Sequence, residues 1–287
     1  MHPRFLAAID FSENSGKALT LAAQYARRYG GTLHVVHCLY YHGNAHAQER
    51  EDLFWEKATV EANAKMAEAI AEYAPGIDNV QVRLVEGRPE DTILEFADIL
   101  EPDMIFIGAQ GFRLTGDPFI GSTTLSLLRK HRRPLFIVPQ LPVFREGPLH
   151  LLAPISRRYG IRGLLAFVKA VHFSLQVKIE LLHLVTEAEA SNTTEHFLDR
   201  KSQELTEAGV PHTTALVQLE EDNIAAGVYA HMLQSDAPFD GIVVESRDPA
   251  TYGEMLVGGT LEDIILHCKR PVLCLNVDLP ETYSQAQ

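Results

Sequence analysis

The sequence lacks any apolar run long enough to cross a bilayer, and its first residues lack the apolar core of a secretion signal. Cysteine is scarce as well. The three cysteines, Cys38, Cys268 and Cys274, are odd in number, which favours buried free thiols over a disulfide framework. We therefore expect a cytoplasmic protein that makes no contact with a membrane.

Basic residues are in deficit. The chain has 25 Lys and Arg against 38 Asp and Glu, a formal net charge of −13. This balance argues against a nucleic-acid partner, because no basic face is available to replace phosphate counterions. Residues 1–143 have 14 Lys and Arg against 18 Asp and Glu, whereas residues 144–287 have 11 against 20. We expect the second half to be the poorer anion binder.

Two common phosphate-binding signatures are absent from the glycine-rich loop that follows the apolar run Met104 to Ile107. No lysine follows Gly121, as a Walker A loop requires, and no G-x-G-x-x-G opens a helix after an early strand. Glycines between a buried strand and a helix start nevertheless gather unpaired N–H groups around one small volume, which suits a polyphosphate. The pattern predicts a phosphate-binding loop formed by Gly108, Gln110, Gly111, Gly121, Ser122 and Thr123.

An internal repeat divides the chain. A shift of 137 positions superposes Asp103 on Asp240 without a gap, and a shift of 144 near the N-terminus puts Asp10 on Pro154. Prolines and a glycine interrupt any regular element between Pro139 and Pro148. The repeat predicts a tandem duplication, with domains at residues 1–142 and 147–279.

Short apolar segments alternate with helix-like segments in both halves, which is typical of a parallel sheet with right-handed crossovers. Apolar residues at helical spacing predict an amphipathic helix from Ser15 to Tyr29. We expect an α/β fold of two tandem, doubly wound, five-stranded parallel-sheet domains. Ligands of such sheets bind at the carboxyl ends of the strands, where Asp10, Cys38 and Gly108 fall.

The pattern G-x2-G-x9-G-[ST] after the fourth strand resembles the ATP-binding loop of the universal stress protein family. Further marks are the first strand ending in Asp10-Phe11-Ser12-Glu13, the second strand Leu33 to Cys38, the turn Gly87-Arg88-Pro89, and Arg133-Pro134 before the fifth strand. The resemblance covers residues 4 to 140. It implies an adenine nucleotide alpha hydrolase-like, Rossmann-like fold that binds ATP, with Mg2+ allowed beside it.

The resemblance implies a role for each matching residue. Ile9 and Asp10 would lie near the ribose or adenine, although Asp10 could equally cap the following helix. The backbone at Cys38 would contact adenine. The glycines of the loop would let the backbone approach the phosphates, and Ser122 and Thr123 would offer hydroxyl and N–H groups.

The second half lacks most of these predicted nucleotide-contact residues. Under the shift of 137, Gly108 becomes Glu245, Gly111 becomes Asp248 and Ser122 becomes Gly259. A one-residue slip still leaves Ser246 and Pro249 at the glycine positions. We therefore expect nucleotide in the N-terminal domain only, and a structural or partner-binding role for the degenerate second domain.

No catalytic constellation stands out. A metal site at His34, His37, His42 and His46 is disfavoured, because the first two point to opposite faces of a strand and the last two would need a helix to converge. We expect a stress or signalling factor that binds an adenine nucleotide. A pure interaction protein with a vestigial loop and a slow ATPase remain open alternatives.

The sequence also predicts how the two domains pair with each other. In the family the resemblance indicates, domains pair through their fifth strands, here Leu135 to Val138 and Val272 to Leu275. We expect these two strands to pair antiparallel as an intrachain pseudo-dimer. An unidentified protein partner and a homodimer through other surfaces remain open.

Overall fold

The computed structural model describes residues 2–40, 48–109, 119–139, 148–155, 161–186, 192–219, 223–235, 239–246 and 260–276. The chain forms two compact units, Met1–His131 and Arg132–Gln287. The alternation of strands and helices in both confirms the predicted α/β fold.

The first unit has a parallel sheet of four strands in the order β3-β2-β1-β4. Its elements are β1 (Arg4–Ala8), α1 (Glu13–Tyr29), β2 (Thr32–Leu39), α2 (Gln48–Tyr73), β3 (Val80–Glu86), α3 (Pro89–Leu100), β4 (Met104–Gly108) and α4 (Ser122–Lys130). All five residues of β4 are buried, as expected for a strand covered on both faces.

The second unit has a sheet in the order β5-β10-β9-β6-β7-β8, with β5 the antiparallel member. Its elements are β5 (Leu135–Val138), β6 (Leu149–Ile155), α5 (Arg162–Leu175), β7 (Val177–Thr186), α6 (Asn192–Glu207), β8 (His212–Leu219), α7 (Ile224–Gln234), β9 (Gly241–Ser246), α8 (Thr260–His267) and β10 (Val272–Asn276).

The predicted pairing of the two fifth strands is confirmed. Ile137 pairs with Val272, and Leu135 pairs with Cys274, in antiparallel register. All four residues of β5 are buried. The pairing removes an apolar strand edge that would otherwise invite aggregation.

Helix α1 begins two residues earlier than its apolar spacing predicts, because Ser12 caps it. The Ser12 Oγ accepts a hydrogen bond from the Ser15 N–H at 3.2 Å. The helix ends at Gly30, whose φ of 62° is the left-handed conformation that favours glycine. The face that α1 buries is rich in alanine, so the helix can lie close to β1 and β4.

Each unit contains the same contact between an aspartate and a strand. Asp103 Oδ2 accepts a hydrogen bond from the Arg4 N–H at 2.7 Å, and Asp240 Oδ2 accepts one from the His150 N–H at 2.8 Å. Each aspartate N–H in turn donates to the carbonyl of the same strand residue, at 2.8 Å. The shift of 137 that relates Asp103 to Asp240 is thus confirmed by their equivalent contacts.

The predicted shift of 144 at the first strand is wrong by two residues. Phe5 pairs with Met104, and Leu151 pairs with Gly241, so the two strands are related by 146 positions. The counterpart of Asp10 is therefore Ser156, outside the described residues, and not Pro154. A slip of two residues keeps every side chain on the same face of a strand, so the apolar pattern cannot detect it.

No helix in the described part of the chain is long and apolar enough to cross a membrane.

The contact between Asp103 and Arg4 yields a prediction. Asp103→Ala should lower the free energy of unfolding by about 2 kcal/mol, because it leaves a part-buried N–H without its charged acceptor. Asp103→Asn keeps an acceptor and should cost less than half as much. Urea denaturation provides the measurement, with the exposed Asp98→Ala on α3 as the control. Equal losses for Asp103→Ala and Asp98→Ala would contradict the assignment.

Candidate functional site

A cavity of about 330 Å³ opens in the first unit at the carboxyl ends of β1, β2 and β4. Its volume falls in the range of small-molecule sites. It brings together Ile9, Asp10, Cys38, Gly108, Gly121, Ser122 and Thr123, all of which the sequence predicts as ligand contacts. Gln110 and Gly111 lie outside the described residues. The remaining lining residues are Ala8, Ser15, Val36, His37, Pro89, Ile93, Ile107, Phe119 and Thr124.

The N-terminus of α4 faces this cavity without a side-chain cap. Its N-cap residue is Gly121, which is extended and offers no side-chain acceptor to the first turn. The first turn contains no acidic residue, and the last turn contains Arg129 and Lys130. The first N–H groups of a helix have no partner within the helix and carry partial positive charge. The end of α4 is therefore suited to an anion.

Thr124 and Gly121 hold this helix end against β4. The Thr124 Oγ1 donates a buried hydrogen bond to the Gly108 carbonyl at 2.9 Å. The Gly121 N–H donates to the Ala109 carbonyl at 3.0 Å. Ser122 remains exposed and Thr123 half-buried, so both can reach a ligand. Sequence reasoning missed Thr124, although a threonine in the first turn of a helix often bonds to nearby backbone.

Gly108 has a packing role that the sequence did not indicate. A Cβ at this position would lie 2.8 Å from the carbonyl carbon of Asn14 and 3.0 Å from the backbone nitrogen of Ser15. These are backbone atoms in the first turn of α1, and they cannot move aside as the end of a flexible side chain could. The glycine therefore permits α1 to approach β4, whether or not a phosphate also approaches it.

Asp10 does not cap α1, and the interpretation that it does is wrong. Ser12 is the N-cap residue. The Asp10 Oδ1 instead accepts hydrogen bonds from the Ser12 N–H at 3.0 Å and the Ser12 Oγ at 2.5 Å. Asp10 is exposed and contributes the one acidic side chain among the described residues that line the cavity. Ser12 thus fixes a carboxylate at the cavity edge.

His37 lies at the end of β2, where its ring is tied to β1. Its Nδ1 lies 2.8 Å from the Ile9 carbonyl oxygen, which can only accept, so Nδ1 carries the hydrogen. The ring centroid is 4.2 Å from that of Phe11. Burial lowers the pKa of His37 below its ordinary value, while the Ile9 hydrogen bond and Asp10 oppose the shift. The imidazole is therefore neutral at neutral pH.

Cys38 cannot act as a nucleophile in this setting. Burial, reinforced by Glu90, raises the pKa of the Cys38 thiol to about 12. The thiolate is the reactive form, and it is not populated at neutral pH. The thiol is a half-buried part of the cavity wall.

The histidines do not form a metal site in the described ranges. His34 is buried, and alternation along β2 places it on the face opposite His37; His42 and His46 lie outside the described residues. No group of three His, Cys, Asp or Glu side chains that could hold a metal ion occurs in the described part of the chain. Asp10 still fits Mg2+ that arrives with phosphates, since Mg2+ commonly takes one or two protein carboxylates.

The second unit differs at the positions that correspond to this site. Glu245, the counterpart of Gly108, accepts a hydrogen bond from the Leu164 N–H at 2.8 Å in the first turn of α5. Helix α8, the counterpart of α4, has Glu262 and Asp263 in its first turn. Asp248, Pro249 and Gly259 lie outside the described residues. The Glu245 carboxylate thus binds the N-terminus of α5, and two acidic residues lie in the first turn of α8.

Comparisons with known proteins agree with this architecture. A universal stress protein of Thermus aquaticus, named for the QAH/OAS sulfhydrylase 3′ region, is 28% identical over 142 residues, 48% of this chain and 99% of its own length. A universal stress protein from Archaeoglobus fulgidus covers 96% of this chain and 98% of its own with a TM-score of 0.71 at 19% identity. A functionally unknown protein from Pseudomonas aeruginosa covers 99% of this chain and 98% of its own with a TM-score of 0.54 at 16% identity. The last two likenesses are of fold alone.

The sequence profile of the universal stress protein family matches residues 1–139. That range contains the first unit, its cavity and strand β5. Residues 1–139 therefore form a domain of the universal stress protein family.

Proposed function

We propose that the protein is a tandem universal stress protein that binds ATP in its first unit and acts as a nucleotide-responsive stress or signalling factor. The observation that carries the proposal is the uncapped N-terminus of α4, which faces a cavity of about 330 Å³. We assign the ATP-binding domain to residues 1–142, the degenerate domain to residues 147–279, and the protein to the cytoplasm.

The phosphates would lie at the start of α4. There the N–H groups of Ser122 and Thr123 can donate to phosphate oxygens, and the helix dipole favours negative charge. Gly121 adds no side chain that would compete for these donors. Asp10, fixed by Ser12, would lie beside the ribose and would hold Mg2+ when the metal accompanies the phosphates. The metal would neutralise phosphate charge there.

The second unit would not bind ATP at the corresponding place. Glu245 already satisfies an N–H group of α5, and its carboxylate would repel a phosphate. Glu262 and Asp263 place negative charge at the end of α8 where a phosphate would have to bind. We therefore assign a structural or partner-binding role to this unit.

Binding without fast turnover fits the chemistry of the cavity. A hydrolase needs a group that accepts a proton from water close to the phosphates. In the described lining, Cys38 is protonated and His37 lies at β2, two strands away from β4. Asp10 would hold Mg2+ beside the ribose, and its carboxylate would then not serve as the proton acceptor. ATP would therefore be held as a signal rather than consumed.

The proposal predicts one nucleotide per chain. Isothermal titration calorimetry with ATP should give a single site, because the helix ends of the second unit are occupied or acidic. Two equivalent sites would contradict the assignment of ATP to the first unit.

A charge placed at the start of α4 tests the phosphate contact. Ser122→Glu should weaken ATP binding at least about tenfold, ~1.4 kcal/mol, because its carboxylate faces the phosphates. The same change should leave the melting temperature equal or higher, since an acidic side chain stabilises a helix N-terminus. Ser122→Gln, of matched size without charge, should bind within about threefold of the unaltered protein. Equal losses for the two variants would mean that size, not charge, disturbs the site.

Hydrolysis should be slow. ATP incubated with the protein should be converted at a rate well below the ordinary enzyme value of about 10 per second, and part of the bound ATP should survive purification. Mass spectrometry of the denatured protein identifies the nucleotide, and phosphate release gives the rate. A rate near the ordinary value would favour the ATPase alternative.

A further inference from the structure

Strand β8 forms an edge of the second unit's sheet, and no strand lies beyond it in the described part of the chain. The strand spans His212–Leu219 and contains no lysine, arginine, aspartate, glutamate or proline. Natural edge strands are usually short, charged, bulged or covered, because their unpaired backbone groups attract another strand. β8 therefore lacks the sequence features that prevent such pairing.

The edge strand of the first unit, β3, is protected by a charged side chain. Arg83 lies exposed within this strand, and its Nη1 donates a hydrogen bond to the Val82 carbonyl at 2.9 Å. The Leu33 N–H donates to the Asn79 carbonyl, so alternation along β3 directs the next even-numbered carbonyls away from β2. Arg83 thus binds an acceptor at the open edge of β3, and β8 contains no residue that could do the same.

The backbone groups of β8 that face outward are centred on Leu216. The Ile179 N–H donates to the Pro211 carbonyl, so the odd-numbered residues of β8 bond to β7. The N–H and C=O groups of the even-numbered residues Thr214, Leu216 and Gln218 therefore point toward the open edge. Leu216 lies at the centre of this set, and its apolar side chain is 46% exposed.

The helices beside this edge leave room for a second copy of the chain. Helices α6 and α7 each contact both β7 and β8, so each lies over the boundary between these two strands. Neighbouring strands lie about 4.8 Å apart, so a twofold axis beside β8 would place each helix about 10 Å from its symmetry mate. Packed helices ordinarily have this spacing.

The exposed side of α7 is also uncharged. Its exposed residues are Ala226, Tyr229, Ala230, Leu233 and Gln234. Helix α3, which occupies the corresponding place in the first unit, instead exposes the acidic residues Asp91, Glu95 and Asp98. Residues 144–287 have 11 Lys and Arg against 20 Asp and Glu, so two copies carry like net charge in this half. β8 and the exposed side of α7 offer a surface where that repulsion is absent.

We propose that β8 is an interface with a second copy of this chain, in which the two β8 strands pair antiparallel about a twofold axis at Leu216. All the outward groups then find partners, because Leu216 pairs with the partner's Leu216 and Thr214 pairs with the partner's Gln218. A register that is symmetric about one residue fits an identical partner, as in other twofold interfaces. The proposal does not depend on nucleotide binding.

Sedimentation velocity tests the interface through the mass of the particle. At about 100 μM the unaltered protein should sediment as two chains. Leu216→Lys should raise the dissociation constant of the pair at least about tenfold, because the twofold axis places the two added charges opposite each other. Ile99→Lys on α3 adds the same charge at another exposed apolar residue and should leave the pair intact. Circular dichroism confirms that each variant is folded.

A mixture of oppositely charged variants tests the register. Leu216→Glu alone should also separate the copies. An equimolar mixture of the Leu216→Lys and Leu216→Glu proteins should pair again, since opposite charges then face each other at the axis. A register centred on another residue would not give this restoration.

Hydrogen exchange provides a measurement that needs no variant. At about 100 μM the amides of Thr214, Leu216 and Gln218 should be protected as strongly as those of Ala215 and Val217, which bond to β7. At an open edge the three even-numbered amides would exchange much faster than their neighbours.

Three results would overturn the proposal. They are a mass of one chain at every concentration, pairing that survives Leu216→Lys, and a mixture of the charged variants that stays unpaired. A mass of one chain would leave β8 available to a strand of a different protein.

Discussion

The arrangement of the first unit depends on the close approach of α1 to β4. Gly108 meets the backbone of Asn14 and Ser15 at distances that leave no room for a side chain. This contact determines where the first turn of α1 lies relative to the end of β4. Ser12 then caps the helix, and its N–H and hydroxyl hold Asp10 at the rim of the cavity. One missing Cβ thus fixes the positions of a helix, a cap and a carboxylate.

The second unit has a different contact at the same junction. Where Gly108 allows close approach, Glu245 carries a side chain that reaches the first turn of α5 and accepts the Leu164 N–H. The Glu245 carboxylate therefore accepts an N–H group in the first turn of α5, as the Ser12 hydroxyl does in the first turn of α1. A helix end satisfied in this way has no need of an external anion, and its negative charge repels one. Structural capping by a carboxylate and phosphate binding exclude each other at such a position.

Periodicity, glycine spacing and the family resemblance each predicted a different part of the structure. The α/β sheets and the loop between β4 and α4 follow from apolar alternation and glycine spacing, whereas the paired fifth strands and the positions of Ile9, Asp10 and Cys38 at the cavity follow from the family resemblance. The register of the first strand did not follow, because a two-residue slip preserves alternation. The start of α1 was missed because Ser12, not the apolar spacing, defines it. Tertiary contacts such as the one between His37 and Ile9 join residues 28 positions apart, which no local pattern reveals.

The corrected register also relates His37 of β2 to His183 of β7, because β2 pairs with β1 as β7 pairs with β6, with every position shifted by 146 residues. The duplicated chain therefore has a histidine at the same place in both units, in unlike surroundings. His37 is partly exposed in its cavity and packs on Phe11. His183 is 1% exposed and packs against Phe197 of α6. A ring that is buried so fully cannot contact a ligand of ordinary size. Identity of residue type between the repeats is thus no guide to shared function, because the surroundings decide what the same side chain can do.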